Sequence, residues 1–439
     1  MDISQYLPCP SGQVLPSGQV LPTSARFVYR AFHIHERGFS FEFVCRFENA
    51  PDITFTPDWT TEVPLDPADP VTQRMVFDIG MAELPSYWKA LCIRDVYVEC
   101  RDLGERETAF WKKLYLRGLG EFFYRNNIDV DDDFMVIHSA GGAGDTYNAD
   151  SKSGTGGGAD SVLIPVGGGK DSVVTLELLR DIPGFCYVIN PQKHTRACVE
   201  LSGKSGVYFT RTIDSTLIKL NKLGAFNGHT PISAVIAFSA TLAAYTRGLS
   251  YVVLSNESSA NDVYVSGSDI NHQYSKSIEF ERDFRDYISL AHPRGGVPQY
   301  FSFLRPLSEL KIAELFAGYP KYFDVFMSCN LGTKTDRWCG ECAKCLYTFI
   351  ILQPFIDKAT LVRLIGSDMP RDPRYAGMLE ALLNPALDKP FECVGTREEV
   401  ACAIDMARAG VSATPPPFCS YDGDNFLPAR FADILRSSL

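Results

Sequence analysis

Two groups of residues in this 439-residue chain have types and spacing suited to chemistry. The first is Gly167-Gly168-Gly169-Lys170-Asp171-Ser172, entered from the apolar run Val162-Leu-Ile-Pro-Val166. Consecutive glycines let backbone N–H groups converge on an anion that any Cβ would crowd. Val173 to Arg180 has helical apolar spacing, so the anion would also sit at the positive end of a helix. Lys170 offers a charge-assisted contact, and Asp171 an oxygen ligand for a magnesium ion beside phosphates. The spacing is not that of a Walker loop, which needs four residues between its first glycine and Gly-Lys-Ser/Thr. The second group is Cys329 with Cys339-Gly-Glu-Cys342-Ala-Lys-Cys345. Two overlapping C-x-x-C steps plus Cys329 could close a tetrahedral four-thiolate shell, the geometry of structural zinc. Gly340 permits the knuckle turn, and Lys344 and Arg337 can offset the thiolate charge. Spacing leaves an iron–sulfur cluster or a redox pair open. The remaining cysteines are scattered and read as small core hydrophobes.

Further polar residues fall where strands or helices should end. Asn256 and Glu257 follow the apolar run 250–255; they could contact ribose, magnesium or substrate, and a solvated turn is the plain alternative. His229 lies in Asn227-Gly-His-Thr-Pro and could carry a proton or simply make a local hydrogen bond. Thr230 is expected to cap a helix that has Pro231 at its first position. Lys276 precedes a charged helical stretch and could bind a carboxylate or phosphate or act as a base; an exposed helix-start lysine is the default reading. Arg305 and Lys311 are basic residues beyond a further apolar run.

The elements that must position these residues alternate. Strand 161–166, helix 171–181, strand 185–190, helix 194–202, strand 206–210, helices 214–223 and 231–246 and strand 250–255 form the pattern of a doubly wound parallel sheet. Ligands of such α/β sheets bind at the carboxyl ends of the strands, where the glycine loop falls. Before it, residues 26–63 alternate apolar and polar as half-buried antiparallel strands, with helices near 82–91 and 110–126. The expected layout is a mobile tail over 1–25, an N-terminal α+β domain over 26–138 and a Gly/Ser-rich linker over 139–160. A nucleotide-binding domain with the cysteine site follows over 161–350, then a mainly helical region over 351–439. A net charge of −11 without basic blocks argues against nucleic acid as partner. No stretch approaches a membrane span and no signal pattern opens the chain, so a cytoplasmic location away from membranes is expected.

Gly167–Ser172 resembles the Ser-Gly-Gly-x-Asp-Ser PP-loop of N-type ATP pyrophosphatases, with Gly167 in place of the leading serine. That change loses a hydroxyl donor and keeps the turn. The cysteine spacing is similar to the zinc site of 7-cyano-7-deazaguanine synthase, itself a PP-loop enzyme. These motifs, with Leu254-Ser-Asn-Glu-Ser, Tyr274-Ser-Lys-Ser-Ile-Glu-Phe-Glu-Arg and Lys389-Pro-Phe-Glu-Cys-Val-Gly-Thr, make residues 26 to 430 resemble the UDP-N-acetyl-α-D-muramoyl-L-alanyl-L-glutamate epimerases of peptidoglycan synthesis.

The resemblance implies an α/β protein with a PP-loop (HUP-like) domain and a zinc knuckle. It implies inversion of the terminal L-Glu of UDP-MurNAc-L-Ala-L-Glu to D-Glu through an acyl-adenylate, with ATP going to AMP and pyrophosphate. ATP with Mg2+ and a structural Zn2+ would be the cofactors. Gly167, Gly168, Gly169, Lys170, Asp171, Ser172, Asn256, Glu257 and Arg305 would serve the nucleotide. Asp171 would also serve catalysis, with Lys276 and His229 the first candidates for moving the Cα proton; Cys329, Cys339, Cys342 and Cys345 would hold the metal. A PP-loop ligase or tRNA-modifying enzyme is the second reading, without support from the charge balance. A nucleotide-sensing module is the third, disfavoured by the presence of both Lys170 and Asp171. A two-thiol racemase would need a pair of unligated cysteines.

Overall fold

The computed structural model describes residues 25–139, 160–409 and 424–439. The expected tail over 1–25 lies almost wholly outside them, as does the linker over 139–160. The chain forms two compact units that do not follow the linear boundaries 26–138, 161–350 and 351–439. One unit combines the N-terminal residues with Phe209–Arg247 and Asp283–Val297; the remaining described residues form the other.

The first unit is built on β1 (Arg26–His35), β2 (Gly38–Arg46), β3 (Ile53–Phe55), β4 (Asp58–Thr61), β5 (Asp95–Val98) and β6 (Val136–Ser139). The alternating residues pair antiparallel as expected: β1 with β2, and β2 with both β3 and β4. β5 and β6, which the sequence did not signal as strands, extend β1 in parallel. Helix Pro70–Trp88 is far longer than its apolar signal at 82–91. Asp69 accepts from the Val71 and Thr72 backbone N–H groups and Pro70 opens the helix, a start that propensity alone understates. Thr230 does not cap its helix: Pro231 takes the cap position of Ile232–Thr246 without a side-chain bond, and the Thr230 carbonyl accepts from Ile232 N at 2.7 Å.

The second unit is α/β. β7 (Val162–Pro165) and β8 (Gly184–Ile189) are parallel neighbours. β9 (Ser205–Thr212) begins in this unit, and its Phe209–Thr212 segment pairs antiparallel with β4 in the first. β10 (Tyr251–Leu254) is parallel to β7 on one side and to β11 (Gln299–Ser302) on the other. The order β11-β10-β7-β8 places β7 between the next strand in sequence and a strand that arrives later. That reversal is a switch point, the place at the carboxyl ends of the strands where ligands of such sheets bind. A single apolar core runs from Ile164 and Val173 through Phe349 and Ile351 to Phe431 and Leu435. The region after 350 therefore belongs to the same packed body. Helix Ala343–Leu352 is buried along its whole length, which explains its continuous apolar sequence.

Candidate functional site

The glycine loop leaves β7 at the switch point. Gly168 has φ +83, a left-handed conformation, and a Cβ there would meet His194 Cδ2 at 2.6 Å. Gly169 caps helix Lys170–Leu178 without a side-chain hydrogen bond, and a Cβ on Gly167 would meet nothing within 4 Å. Open space therefore adjoins a helix start whose N–H groups no side chain caps. Ser172 spends its hydroxyl locally, donating to the Gly169 carbonyl at 2.8 Å. The loop is braced from outside: Met327 N donates to the Gly168 carbonyl at 2.8 Å.

Carboxylates converge beside the loop. Asp171, Glu257 and Glu309 each offer an oxygen within 4.8 Å of the others. Lys170 donates to both Asp171 and Glu309. Burial works against the Lys170 charge, but Asp171 and Glu309 outweigh it and raise its pKa. For Asp171, burial is overcome by Lys170, with Lys344 and Lys276 assisting, so it stays below the usual carboxylate range. Glu309 moves the other way: burial raises it despite Lys170. The sequence reading missed Glu309, the first residue of a helix capped by Ser308. Only the fold brings it to Lys170.

Arg305 is 1% exposed, and its guanidinium is committed to protein partners. It donates to the Glu257 carbonyl at 2.7 Å, to the Lys276 carbonyl and to Glu281 Oε2 at 3.2 Å. This geometry makes it an anchor for the chain at Glu257 and Lys276, in contrast to the nucleotide contact expected from the sequence. Asn256 likewise points inward, its amide 3.0 Å from Ser302 Oγ. Lys276 Nζ reaches Gln273 Oε1 at 3.2 Å and Cys393 Sγ at 3.3 Å. Cys393 thus departs from the core-hydrophobe reading given to the scattered cysteines, whereas Cys45, Cys92, Cys186 and Cys198 are buried as that reading requires. His229 belongs to the first unit, where its Nδ1 lies 3.4 Å from Glu121 Oε2.

The four motif cysteines come together as the spacing indicated. Their Sγ separations include 3.9 Å for Cys329–Cys342, 3.6 Å for Cys339–Cys345 and 3.5 Å for Cys342–Cys345. Thiolates at Zn–S bond length on a tetrahedron lie about 3.8 Å apart, so the set fits such an ion, and it is too open for a disulfide. Gly340, at φ +66, makes the knuckle turn. Backbone N–H groups of Gly332 and Glu341 point at Cys329 and Cys339 sulfurs at 3.1 and 3.4 Å. Lys344 is directed elsewhere, donating to the Cys393 carbonyl. Among the described residues, no helix is long and apolar enough to cross a membrane.

A glycine loop, a carboxylate cluster at a sheet switch point and four clustered cysteines whose sulfurs could hold a metal ion mark this α/β protein. Comparison with known proteins narrows this. Residues 20–303 match the MurL N-terminal domain and residues 325–414 the MurL C-terminal domain. The chain is 36% identical over 338 residues to the UDP-N-acetyl-alpha-D-muramoyl-L-alanyl-L-glutamate epimerase of Xanthomonas oryzae pv. oryzae, covering 74% of this chain and 72% of that one. It is 36% identical over 358 residues to the protein of that name from Micromonospora sp., covering 77% of each. A Salinispora tropica protein with the same name is 33% identical over 412 residues, 84% of this chain and 87% of its own. No solved structure matches the chain significantly. The chain belongs to the MurL family of UDP-N-acetyl-alpha-D-muramoyl-L-alanyl-L-glutamate epimerases.

Proposed function

We propose that this protein is an ATP-dependent epimerase of peptidoglycan synthesis that converts the terminal L-Glu of UDP-MurNAc-L-Ala-L-Glu to D-Glu. The observation that carries the reading is the gathering of Lys170, Asp171, Glu257 and Glu309 around the open glycine loop of a MurL-family chain.

The Cα–H of a free carboxylate is a very weak acid, because its carbanion would place two negative charges on one small unit. Converting the carboxylate to an acyl-adenylate removes one charge and makes the carbonyl ester-like. In this reading the glycine loop and the start of helix Lys170–Leu178 hold the departing phosphates of ATP as the glutamate carboxylate attacks the α-phosphorus. Lys170 balances charge there. The three carboxylates fit a magnesium ion, which would spread the charge that develops on the phosphates. A base then removes the Cα proton, a proton returns to the opposite face, and water releases the D-product and AMP. The four cysteines fit a structural zinc ion that ties Cys329 to the knuckle.

The test is incubation with ATP, the nucleotide-linked dipeptide and magnesium in D2O. Deuterium at the glutamate Cα, appearing with AMP and pyrophosphate and requiring both ATP and magnesium, is expected. Exchange at full rate without ATP would overturn the adenylate.

A further inference from the structure

Lys389-Pro-Phe-Glu-Cys-Val-Gly-Thr396 has no part in the reading above, yet nearly every residue of it is fixed, and Lys344, which donates to its Cys393 carbonyl, also acts on Asp171. Lys389 Nζ donates to Asp262 Oδ2 at 2.6 Å. The Phe391 ring lies 6.2 Å from both Tyr264 and His272. Glu392 Oε2 accepts from Lys344 N at 2.8 Å, and the Val394 carbonyl accepts from Tyr264 O–H at 3.1 Å. A Cβ on Gly395 would strike Tyr347 Oη at 2.5 Å and Glu399 Oε2 at 2.7 Å. Between these anchors the segment presents Cys393, half-buried, to the ammonium of Lys276.

We propose that Cys393, paired with Lys276, is the base that removes the Cα proton of the activated glutamate. The inference rests on the adenylate reading and adds to it the group that does the proton transfer. Burial pushes the Cys393 thiol up, but Lys276, a hydrogen bond with His272 and the charge of Lys344 outweigh it and bring the thiol down to about 6. Tyr264, which packs on the same segment, is itself pushed up, chiefly by burial, and stays neutral, while Lys389 is paired with Asp262 and Glu392 accepts from Lys344 N. Cys393 is therefore a thiolate at neutral pH. Lys276 is the reverse case: burial lowers it, but Cys393 and Glu257 dominate and raise it, so it stays an ammonium and is unsuited to be the base. Asp171 also acts on Lys276, which places the thiolate's partner in the field of the phosphate-handling carboxylates.

In the step proposed, the Cα–H bond breaks and its proton passes to Cys393 Sγ. The electron pair moves onto the adenylate carbonyl oxygen as an enolate. A water-derived proton then arrives at the opposite face of Cα, and the thiol returns its proton to solvent. One unligated thiolate is sufficient, which removes the need for the thiol pair of a two-cysteine racemase.

The experiment compares wild type, C393S and C393A for ATP-dependent pyrophosphate release and for Cα exchange in D2O. Alkylation of Cys393 by iodoacetamide is followed in parallel by mass spectrometry across pH. Expected are pyrophosphate release within about threefold of wild type and exchange reduced at least a thousandfold. Cys393 should alkylate with a midpoint near 6, moving towards the ordinary thiol value in K276M. C393S that exchanges at the wild-type rate overturns the inference, as does alkylation with an ordinary thiol midpoint in native wild type. Wild type that exchanges without releasing pyrophosphate overturns adenylation alone; loss of exchange in C393S would then still support the thiolate base.

Discussion

The ammonium of Lys170 is hydrogen-bonded to the carboxylate of Glu309, and each is the first residue of its helix. A lysine at a helix start opposes the helix dipole, and a glutamate there suits it. The pair therefore lets Glu309 and Asp171 hold a positive charge where the backbone alone would disfavour it. Breaking a buried pair leaves an uncompensated charge. Because Asp171 remains as a partner, E309A should lose about 3 kcal/mol of stability, the low end for such cases, measured by urea unfolding. E309A of wild-type stability would show that the pair is not a structural tie.

Asp171→Asn changes one oxygen of the carboxylate trio to an amide and removes a charge. It should suppress pyrophosphate release and Cα exchange together, by at least about a hundredfold, because both follow adenylation. Loss of exchange alone, with release intact, would move Asp171 out of the nucleotide step.

Gly168→Val faces two separate obstacles, a positive φ and a clash with His194. A branched residue forced into that conformation costs of order 1–3 kcal/mol and should displace the loop from Met327. Pyrophosphate release should vanish while circular dichroism remains that of a folded protein. Retained release would mean that the phosphates bind elsewhere.

The cysteine knuckle should hold about one zinc ion per chain by elemental analysis. Cys342→Ser removes one ligand and should lower the unfolding midpoint, with a parallel loss of zinc. A metal-free chain that stays folded and fully active would exclude a structural ion.

Stability should also carry a signature of Glu399. Burial raises its carboxyl, with Glu309 adding to the rise, to about 7, against an ordinary value of 4.5. The folded chain then holds a proton that the unfolded chain releases. Its contribution is complete below the ordinary value and is lost as pH rises through about 7. Cys393 acts oppositely: depressed to about 6 from 9.0, it contributes above the ordinary thiol value and loses that as pH falls through 6. E399Q should therefore flatten the fall in urea midpoint between about pH 5 and 8 relative to wild type, isolating the carboxyl. Parallel pH profiles for the two proteins would refute the assignment.

The glycine loop and the four cysteines were legible because their chemistry is local. Three glycines before a helix and two C-x-x-C steps carry their geometry within a few residues. The alternating strands and helices from 161 to 255 were legible for the same reason. Glu309 and Cys393 were not. Each gains its role from a partner far along the chain, 139 and 117 positions away. Arg305 shows the converse: a basic residue at a strand end looks like a ligand for phosphate, yet four protein oxygens accept from its guanidinium. Charge in sequence does not reveal which side of the backbone will use it.

The brace from Met327 to the Gly168 carbonyl has a consequence for the birth of the protein. Ribosomes add about 5–20 residues per second, so roughly 160 residues of further synthesis keep the loop without its brace for some 8–30 seconds. During that interval β7 and its first helix have neither Glu309 nor the cysteine knuckle to lean on. A chain halted between the loop and the knuckle should bind nucleotide poorly and be cut readily at the glycines, whereas one released at full length should resist. Completion of the glycine loop is thus timed by the arrival of the chain's second half.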